Sequence, residues 1–471
     1  MKEFARIVKF VLFSMSAGLI QLGSFTLMNE LIKLPYWLSY LIALVLSVIW
    51  NFTFNRKFTF KSATNIPKAM LLVFLFYVVF TPASTWFEDY LTRLGWNEYL
   101  VTFINMFINL ILEFLYQRFV VFNKSIDTLK NYKKLIHVQT EKSGHIQGIA
   151  IDEKRKYIYC SFTTEFAKFD MKGNKVASVK GLVGHLGCIA YNYEDGKVYG
   201  SLEFKHDMIG KSILNNFEGV DVKDGFYIAS FDVEKMNALD MDAETSGIMN
   251  TVFLKEVTDD YSSGRFGTSG IDGTTFAPEI GKKDGKQYLY VAYGIYSDTG
   301  RDDNDCQVVL QYDISSWNEY ARPLNQNNMH RCGPEKPDKK YFVYTGNTNF
   351  GIQNLEYDPS TGYMIAAVYR GQKEQFPNYK MYVFDCNKES YIGKMPDCDD
   401  ECEYINLAEI GETDGKIYGF RFDYGSTGIA ALGNGYFYIS ENKEDWEKKI
   451  FESDICLYTW DGVTPFVKKQ K

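Results

Sequence analysis

Asn51, Asn55 and Arg56 recur further along the chain as Glu113, Gln117 and Arg118, inside stretches that are otherwise apolar and aromatic. Amides and a carboxylate spaced by four fall on one face of a helix, where they can exchange hydrogen bonds with hydroxyls. The arginine that follows brings a planar fork able to hold two phosphate oxygens at once. Asn105 and Asn109 extend the second stripe, and Ser47 extends the first. Such a stripe is costly in hydrocarbon unless it faces another helix or a hydrated cleft, and Glu113 is the most costly member. Two readings fit. The amides could glue helices together while Glu113 pairs with a basic neighbour. Alternatively, both stripes line a cleft for a polar, phosphate-bearing headgroup, with Arg56 and Arg118 at its mouth. Either arginine alone could be a plain topology signal; their matching places in the repeat favour the cleft.

A second set of polar residues lies beyond residue 135. His145 and His185 stand in matching GHIQG and GHLGC sequences, and a five-fold repeat aligns Gln147, Gly187, Asp272, Gln353 and Thr427 in one ring. Glu203 and Glu441 follow the second strands of their repeats and could approach the same end. Paired acids in such a ring are the chemistry of glycoside hydrolysis, but the first ring position, where a base would be needed, is Gln147. Two histidines with Asp272 could ligate a metal, yet their spacing is set by the repeat. No catalytic residue, metal or other cofactor is therefore expected. A channel that senses sugar or phosphate, or a docking surface, is the expectation for His145, Gln147, His185, Glu203, Asp272, Gln353 and Glu441.

The elements that position the first set are membrane spans. Ile7–Ile32, Tyr36–Phe54, Lys68–Phe87 and Tyr99–Phe122 each approach the length, about 20 residues, that a helix needs to cross a bilayer. The first has no small-residue cleavage site and is followed by three more spans, which argues against a cleaved signal peptide. Short connections at Leu34-Pro35 and Gly95-Trp96-Asn97 make two hairpins that point the same way, a parallel repeat. Lys2, Arg6, Lys9, Arg56, Lys57, Lys61, Lys68, Arg118, Lys124, Lys130, Lys133 and Lys134 lie on one side, against Lys33 and Arg93 on the other. This bias puts both ends, and the large domain that follows, in the cytoplasm.

With that topology, the sequence N-F-x-x-N-R-x-x-x-F at Asn51–Phe60, echoed at Glu113–Phe122, resembles the GtrA-like family over about residues 4–124. The resemblance implies a small membrane protein of cell-envelope polysaccharide and teichoic acid glycosylation. It also implies movement of polyprenyl-phosphate-linked sugars between leaflets. This chain departs from a symmetric pattern where Glu113 and Gln117 replace Asn51 and Asn55, so its two halves need not contribute equally. A phosphate-sugar headgroup loses its water on crossing hydrocarbon; a hydrated groove would lower that barrier without a nucleophile. Nothing in the first 122 residues resembles a nucleotide-binding loop, so direct coupling to ATP is not expected.

From Leu135 onward, short alternating strands rich in Tyr, Phe, Ile and Val are separated by Gly, Asp and Asn turns. Five third strands end in an aromatic-Asp pair: Phe169-Asp170, Phe231-Asp232, Tyr312-Asp313, Phe384-Asp385 and Trp460-Asp461. First strands run through Ile149, Ile189, Thr274, Leu355 and Ile429, and second strands fit between. The reading is a five-bladed β-propeller with long inserts at Lys205–Gly225, Ile295–Gln307 and Gly371–Lys380; seven blades would require blades hidden in the inserts.

Averages over the 471 residues, a net charge of -8 and a mean hydropathy of -0.22, conceal this division. Residues 1–134 carry 14 Lys and Arg against 7 Asp and Glu, and the remainder 37 against 52. An acidic body argues against binding nucleic acid. All eight cysteines lie in the body and are expected to be reduced thiols in a cytoplasmic setting. The expected organisation is a four-helix membrane domain at 1–124, a basic linker at 125–134 beside anionic lipid, and an all-β propeller at 135–471. The expected protein is a bacterial-type inner-membrane translocase of polyprenyl-phosphate-linked sugars. Its propeller would bind a ligand or a partner such as a glycosyltransferase, and four short helices suit a homo-oligomer. The alternatives are a propeller enzyme acting on carbohydrate and tethered by the helices, and a scaffold that recruits a glycosyltransferase.

Overall fold

In the computed structural model the apolar stretches form helices α1 (Lys2–Thr26), α2 (Tyr36–Phe54), α3 (Ile66–Arg93) and α4 (Glu98–Tyr116). The structure describes residues 2–60, 66–121, 132–140, 144–217, 222–394, 401–445, 450–463 and 466–469. Most of the 125–134 linker, together with Lys61, Phe122, Lys124, Lys130 and Cys398, lies outside them. Contacts divide the chain into two units, Met1–Tyr132 and Lys133–Lys471.

All four helices are long and apolar enough to cross a membrane; the 19 residues of α2 span about 28 Å. Their outward faces carry Leu12, Met15, Leu19, Val79, Phe103 and Met106, all exposed, a surface that water disfavours and lipid accepts. Exposed Tyr36, Trp37, Trp86, Tyr90 and Trp96 cluster at the two hairpin turns, away from the basic ends, as an interfacial belt would. Ser39, Ala43 and Ser47, spaced by four and buried, let α2 approach α1 closely. The Ser47 hydroxyl donates to the Ala17 carbonyl at 2.9 Å, and the Trp50 indole donates to Ser16 Oγ at 2.9 Å. Phe10 of α1 meets Phe60 and Phe114, which ties the first hairpin to α4.

Helix α3 continues past Phe87, where hydropathy alone would end it. Its last turns are held by an Asp89–Arg93 pair at 2.9 Å and by Glu88, which accepts from Asn105 of α4 at 2.7 Å. Both α2 and α4 run on into single π-helical turns, Asn55–Thr59 and Gln117–Val121. These turns occupy equivalent places in the two hairpins, so the repeat read in the sequence is also a repeat of backbone geometry. In the first, the Phe60 amide reaches back to the Asn55 carbonyl at 2.8 Å.

The second unit is a five-bladed propeller. The innermost strands of blades one to five are Gly148–Ile151, His185–Tyr191, Thr268–Ala277, Thr348–Asp358 and Ile429–Gly433. Each pairs antiparallel with the strand that follows it. The aromatic-Asp pairs have a common physical role. Phe169, Phe231, Tyr312, Phe384 and Trp460 are buried in the core. Each partner aspartate accepts from a backbone N–H just downstream, at Lys172, Glu234, Ser315, Asn387 and Val463. The pair thus anchors the third strand and then turns it.

The ring is closed by a strand that the repeat did not reveal. Leu135–Gln139, the first strand of the unit, pairs antiparallel with Ile450–Thr459 and completes blade five. Ile136 and Val138 point into the core, so the two ends of the propeller are stitched together by a ladder rather than left as exposed edges.

Candidate functional site

The membrane residues singled out by their spacing come together in one buried network. Glu113 Oε1 accepts from Gln117 Nε2 at 2.8 Å and from Asn51 Nδ2 at 3.3 Å. Asn51 Oδ1 in turn accepts from Asn55 Nδ2 at 2.7 Å and from the Ser14 hydroxyl at 3.4 Å. The Tyr77 hydroxyl of α3 also reaches Glu113. Asn51 and Glu113 occupy equivalent places in the repeat, so their bond crosses between the two halves. Asn105 does not join this network; Glu88 holds it.

The network leaves polar capacity over. Asn55 Oδ1 and Gln117 Oε1, again equivalent atoms of the repeat, are buried without a partner, as are Asn109 Oδ1, Thr59 Oγ1 and Arg56 Nε. Buried polar atoms of native proteins are usually paired; these five hold hydrogen-bonding capacity that no described residue fills. Three amide oxygens and a hydroxyl can accept from a ligand's hydroxyls, and an arginine Nε–H can donate to a phosphate. Arg118 stands in the matching π-turn with its guanidinium beside the Phe119 ring.

In the propeller, three successive innermost strands leave the ladder at the same point. Pairing skips from Leu186 to Ile189, from Ile271 to Gly273 and from Ile352 to Asn354. The residues left out are Gly187 with Cys188, then Asp272, then Gln353, all at or beside the aligned ring position. Bulges of this kind turn a side chain out of the pleat. Gln353 Nε2 donates to Asp272 Oδ2 at 3.2 Å and to the Phe350 carbonyl at 3.2 Å. His185 Nδ1 lies 3.5 Å from both Asp272 Oδ1 and Glu203 Oε1. Gly187 is required there, since a Cβ would stand 2.5 Å from Asp272 Oδ1.

Glu203 is compensated from several sides. Lys205 Nζ lies 2.5 Å from Oε1, and the Ile271 amide donates to Oε2 at 2.9 Å. Lys205 also donates to the Ser269 carbonyl at 2.8 Å, and Asp207 accepts from the Tyr296 hydroxyl at 2.6 Å. Burial penalises charge on every member. On Glu203 it is outweighed by Lys205 and His185, which hold the carboxyl below its usual range. On His185 it is outweighed by Glu203 and Asp272, which raise the imidazole. On Asp272 burial wins, aided by the Glu203 charge, and the carboxyl is lifted to about 6.

His145 and Gln147 pair with each other at 3.1 Å, and Gln147 donates to Thr163 Oγ1 at 3.3 Å. Thr427 bonds Ser440 at 3.1 Å. Glu441 is not brought to the cluster: it accepts from Tyr458 at 2.6 Å and pairs with Lys468 at 2.7 Å, on outer strands of its own blade. The Asn354 amide donates to the Gln147 carbonyl of blade one at 2.8 Å and to the Ser426 carbonyl ahead of blade five at 2.9 Å, so one side chain links three blades. Spacing did not single out Lys205, Asp207 and Tyr296 as site residues; the alternation that puts Lys205 on the same side as Glu203 carried the only signal. Among the described residues no group of three or more His, Cys, Asp and Glu could hold a metal ion. The seven described cysteines are free thiols, and Cys160, Cys188 and Cys456 are core residues.

Residues 9–122 match the family model "GtrA/DPMS, transmembrane domain", so the helical unit is a GtrA/DPMS transmembrane domain. No curated protein matches the chain. Among solved structures, the holo form of the pyranose dehydrogenase PQQ domain from Coprinopsis cinerea is similar at 9% identity and a TM-score of 0.30. That match covers 66% of this chain and 82% of that one.

Proposed function

We propose that this protein, through its GtrA/DPMS transmembrane domain, translocates a polyprenyl-phosphate-linked sugar across the membrane for cell-surface polysaccharide or teichoic acid glycosylation. The observation that carries the reading is the buried network of Asn51, Asn55, Glu113 and Gln117 with its unpartnered amide oxygens, flanked by Arg56 and Arg118 on equivalent π-turns. In this mechanism the arginines take the phosphate at the cytoplasmic side, and its charge is balanced before it leaves water. The free oxygens of Asn55, Asn109 and Gln117 then accept from sugar hydroxyls as these lose their hydration. The prenyl chain stays in lipid throughout, so only the headgroup needs a polar path. The propeller stands in the cytoplasm and binds a ligand or a partner, a glycosyltransferase being the partner this substrate would require. The supported activity is transport rather than bond-making, since no member of the network is needed as nucleophile or general base.

The test uses purified full-length protein in proteoliposomes. A labelled polyprenyl-phosphate sugar is supplied and an impermeant reagent reads the far leaflet. Transfer faster than in empty liposomes, reduced at least tenfold by Arg56→Ala with Arg118→Ala, is the expected result. No transfer above the empty-liposome rate would leave the helices as an anchor and move the activity to the propeller.

A further inference from the structure

Blades one to four each pack one face of their sheet on the blade that follows, and the residue just before the aromatic-Asp pair sits in that junction. In blades one, three and four it is Lys168, Gln311 and Val383, all buried. Lys168 shows how the space is used. Its ammonium crosses to blade two and donates to the Val233 carbonyl at 3.0 Å and the Met236 carbonyl at 3.2 Å, in the turn after Phe231-Asp232. Gln311 is held by the hydroxyls of Tyr290 at 2.8 Å and Tyr341 at 3.1 Å. Blade two has Ser230 at this position. A hydroxymethyl group does not reach across, and a cleft of about 270 Å³ opens between blades two and three.

The walls of the cleft are held in place by their own bonds. Tyr199, Ser230 and Asn250 are cross-strand neighbours on one face of blade two, and Ile228 and Val252 pair beside them. Along Gly225–Phe231 that face reads Phe226, Ile228, Ser230, so two core residues give way to a small hydroxyl. The opposite wall is the 3-10 turn Ile314–Glu319, which Asp313 starts by accepting from the Ser315 amide at 3.0 Å. This turn puts Ile314 and Trp317 where blade two has Val233 and Met236, and buried Trp317 packs edge-on to Tyr312 at 5.5 Å. At the end of the cleft, Asn192 accepts from the Glu194 amide at 3.0 Å and Asp195 from the Tyr199 hydroxyl at 2.6 Å. Inside this frame the side chains of half-buried Asn250 and exposed Asn318 line the space. Among the described residues neither side-chain amide has a hydrogen-bond partner; Asn250 receives Ser230 on its backbone carbonyl at 3.5 Å.

The repeat also sets the charge of the occupant. Lys168 lies in the field of Asp152, which follows the first strand of blade one, and of Glu234, two residues after the aspartate of the blade-two pair. The same two places around the cleft hold Asn192 and Ser315. The cation and both of its carboxylates are thus exchanged together for neutral hydrogen-bonding groups. A cation in the place of Lys168 would lack those two counter-charges. An anion would meet the carboxylates of Glu194 and Asp195 with one amine, Lys197, among the lining residues. Neutral hydroxyls suit the cleft, because each can both donate and accept, as the Asn250 and Asn318 amides and the Ser230 hydroxyl do. Ile228, Val252 and Trp317 give its C–H groups an apolar surface. The volume lies just below the range of about 300–1,000 Å³ for drug-sized ligands, which leaves room for one sugar ring and not for a nucleotide. We propose that the cleft between blades two and three binds a neutral monosaccharide unit, with Ser230, Asn250 and Asn318 taking its hydroxyls. No residue of the membrane domain takes part, so the site stands independently of the translocase reading.

Calorimetric titration of the detergent-solubilised full chain tests it. The probes are methyl glycosides of glucose, galactose, mannose and N-acetylglucosamine, with propylamine and inorganic phosphate as the charged comparisons. Saturable binding of at least one glycoside is expected, with neither charged probe competing. Asn250→Ala, which takes away an amide that holds no other residue, should weaken that binding tenfold or more. Ser230→Met, which fills the cleft with an uncharged chain, should abolish it. A melting temperature near that of wild type shows that each variant is folded. Absence of binding by every glycoside below a Kd of about 10 mM would overturn the proposal. So would competition by propylamine or phosphate, or unchanged glycoside affinity in a folded Asn250→Ala protein.

Discussion

Replacing Lys205 by methionine strands Glu203 in the interior. The Glu203 side chain is 2% exposed and that of Lys205 4%, so water cannot take over the lost role. Breaking one side of a buried ion pair costs about 3–5 kcal/mol. Unfolding entropy of about 2.1 cal/mol/K per residue, over a unit of roughly 340 residues, gives about 0.7 kcal/mol/K. The expected fall in melting temperature is therefore about 4–7 °C. The double change Lys205→Met with Glu203→Gln removes both charges and keeps an acceptor for the Ile271 amide. It should recover most of the loss and melt within about 2 °C of wild type. Buried Trp317 and Trp460 report on the propeller, so tryptophan fluorescence during heating of the full chain in detergent is a suitable readout. A shift under about 1 °C for the single change would refute the reasoning. A double variant as damaged as the two singles summed would refute it equally, because the pair would then not be the source of the cost.

Two further outcomes follow from the propeller. Asp272, lifted to about 6 by burial, binds its proton more tightly folded than unfolded. Its stabilising contribution is complete below about pH 4 and is lost as pH rises through about 6; raised His185 acts in the same sense above its ordinary range. Melting temperatures of wild type and Asp272→Asn, compared from about pH 4 to 8, should diverge against wild type as pH rises. The opposite slope would show that Asp272 ionises freely. On the closing strand, Ile136 is 1% exposed, and Ile136→Ala should cost about 2–5 kcal/mol. On the same entropy that is about 3–7 °C; a change of under about 1 °C would mean that the ring does not depend on this strand.

The sequence disclosed those features that repeat. Phe169-Asp170 and its four counterparts were legible because one physical device, a buried ring followed by an aspartate turn, ends every third strand. Asn51–Phe60 and Glu113–Phe122 were legible because the membrane permits few polar residues, so any at a fixed period stand out. The closing strand was not legible: Leu135–Gln139 belongs to blade five but sits ahead of blade one, and no local pattern records a partner at the far end of the chain. Bulges were hidden too, since Ile271-Asp272-Gly273 reads as ordinary alternation until the partner strand is seen. Glu441 shows the converse. Its alignment with Glu203 was sound as a register, but Tyr458 and Lys468 claim its carboxylate, which Lys205, Ile271 and His185 do for Glu203. The extra turns of α3 escaped hydropathy because Glu88 and Asp89 are polar, and their partners Asn105 and Arg93 become evident only in three dimensions.

The central claim is that the polar network between α2 and α4 carries a headgroup, and the rate of lipid-linked sugar transfer in proteoliposomes tests it most directly. Asn51→Ala and Glu113→Ala each break the link between the two halves while leaving Arg56, Arg118 and the propeller untouched. Transfer slowed at least tenfold in both, in protein that remains folded and inserted, is the predicted result. Wild-type rates in both would contradict the claim and reduce the network to helix packing.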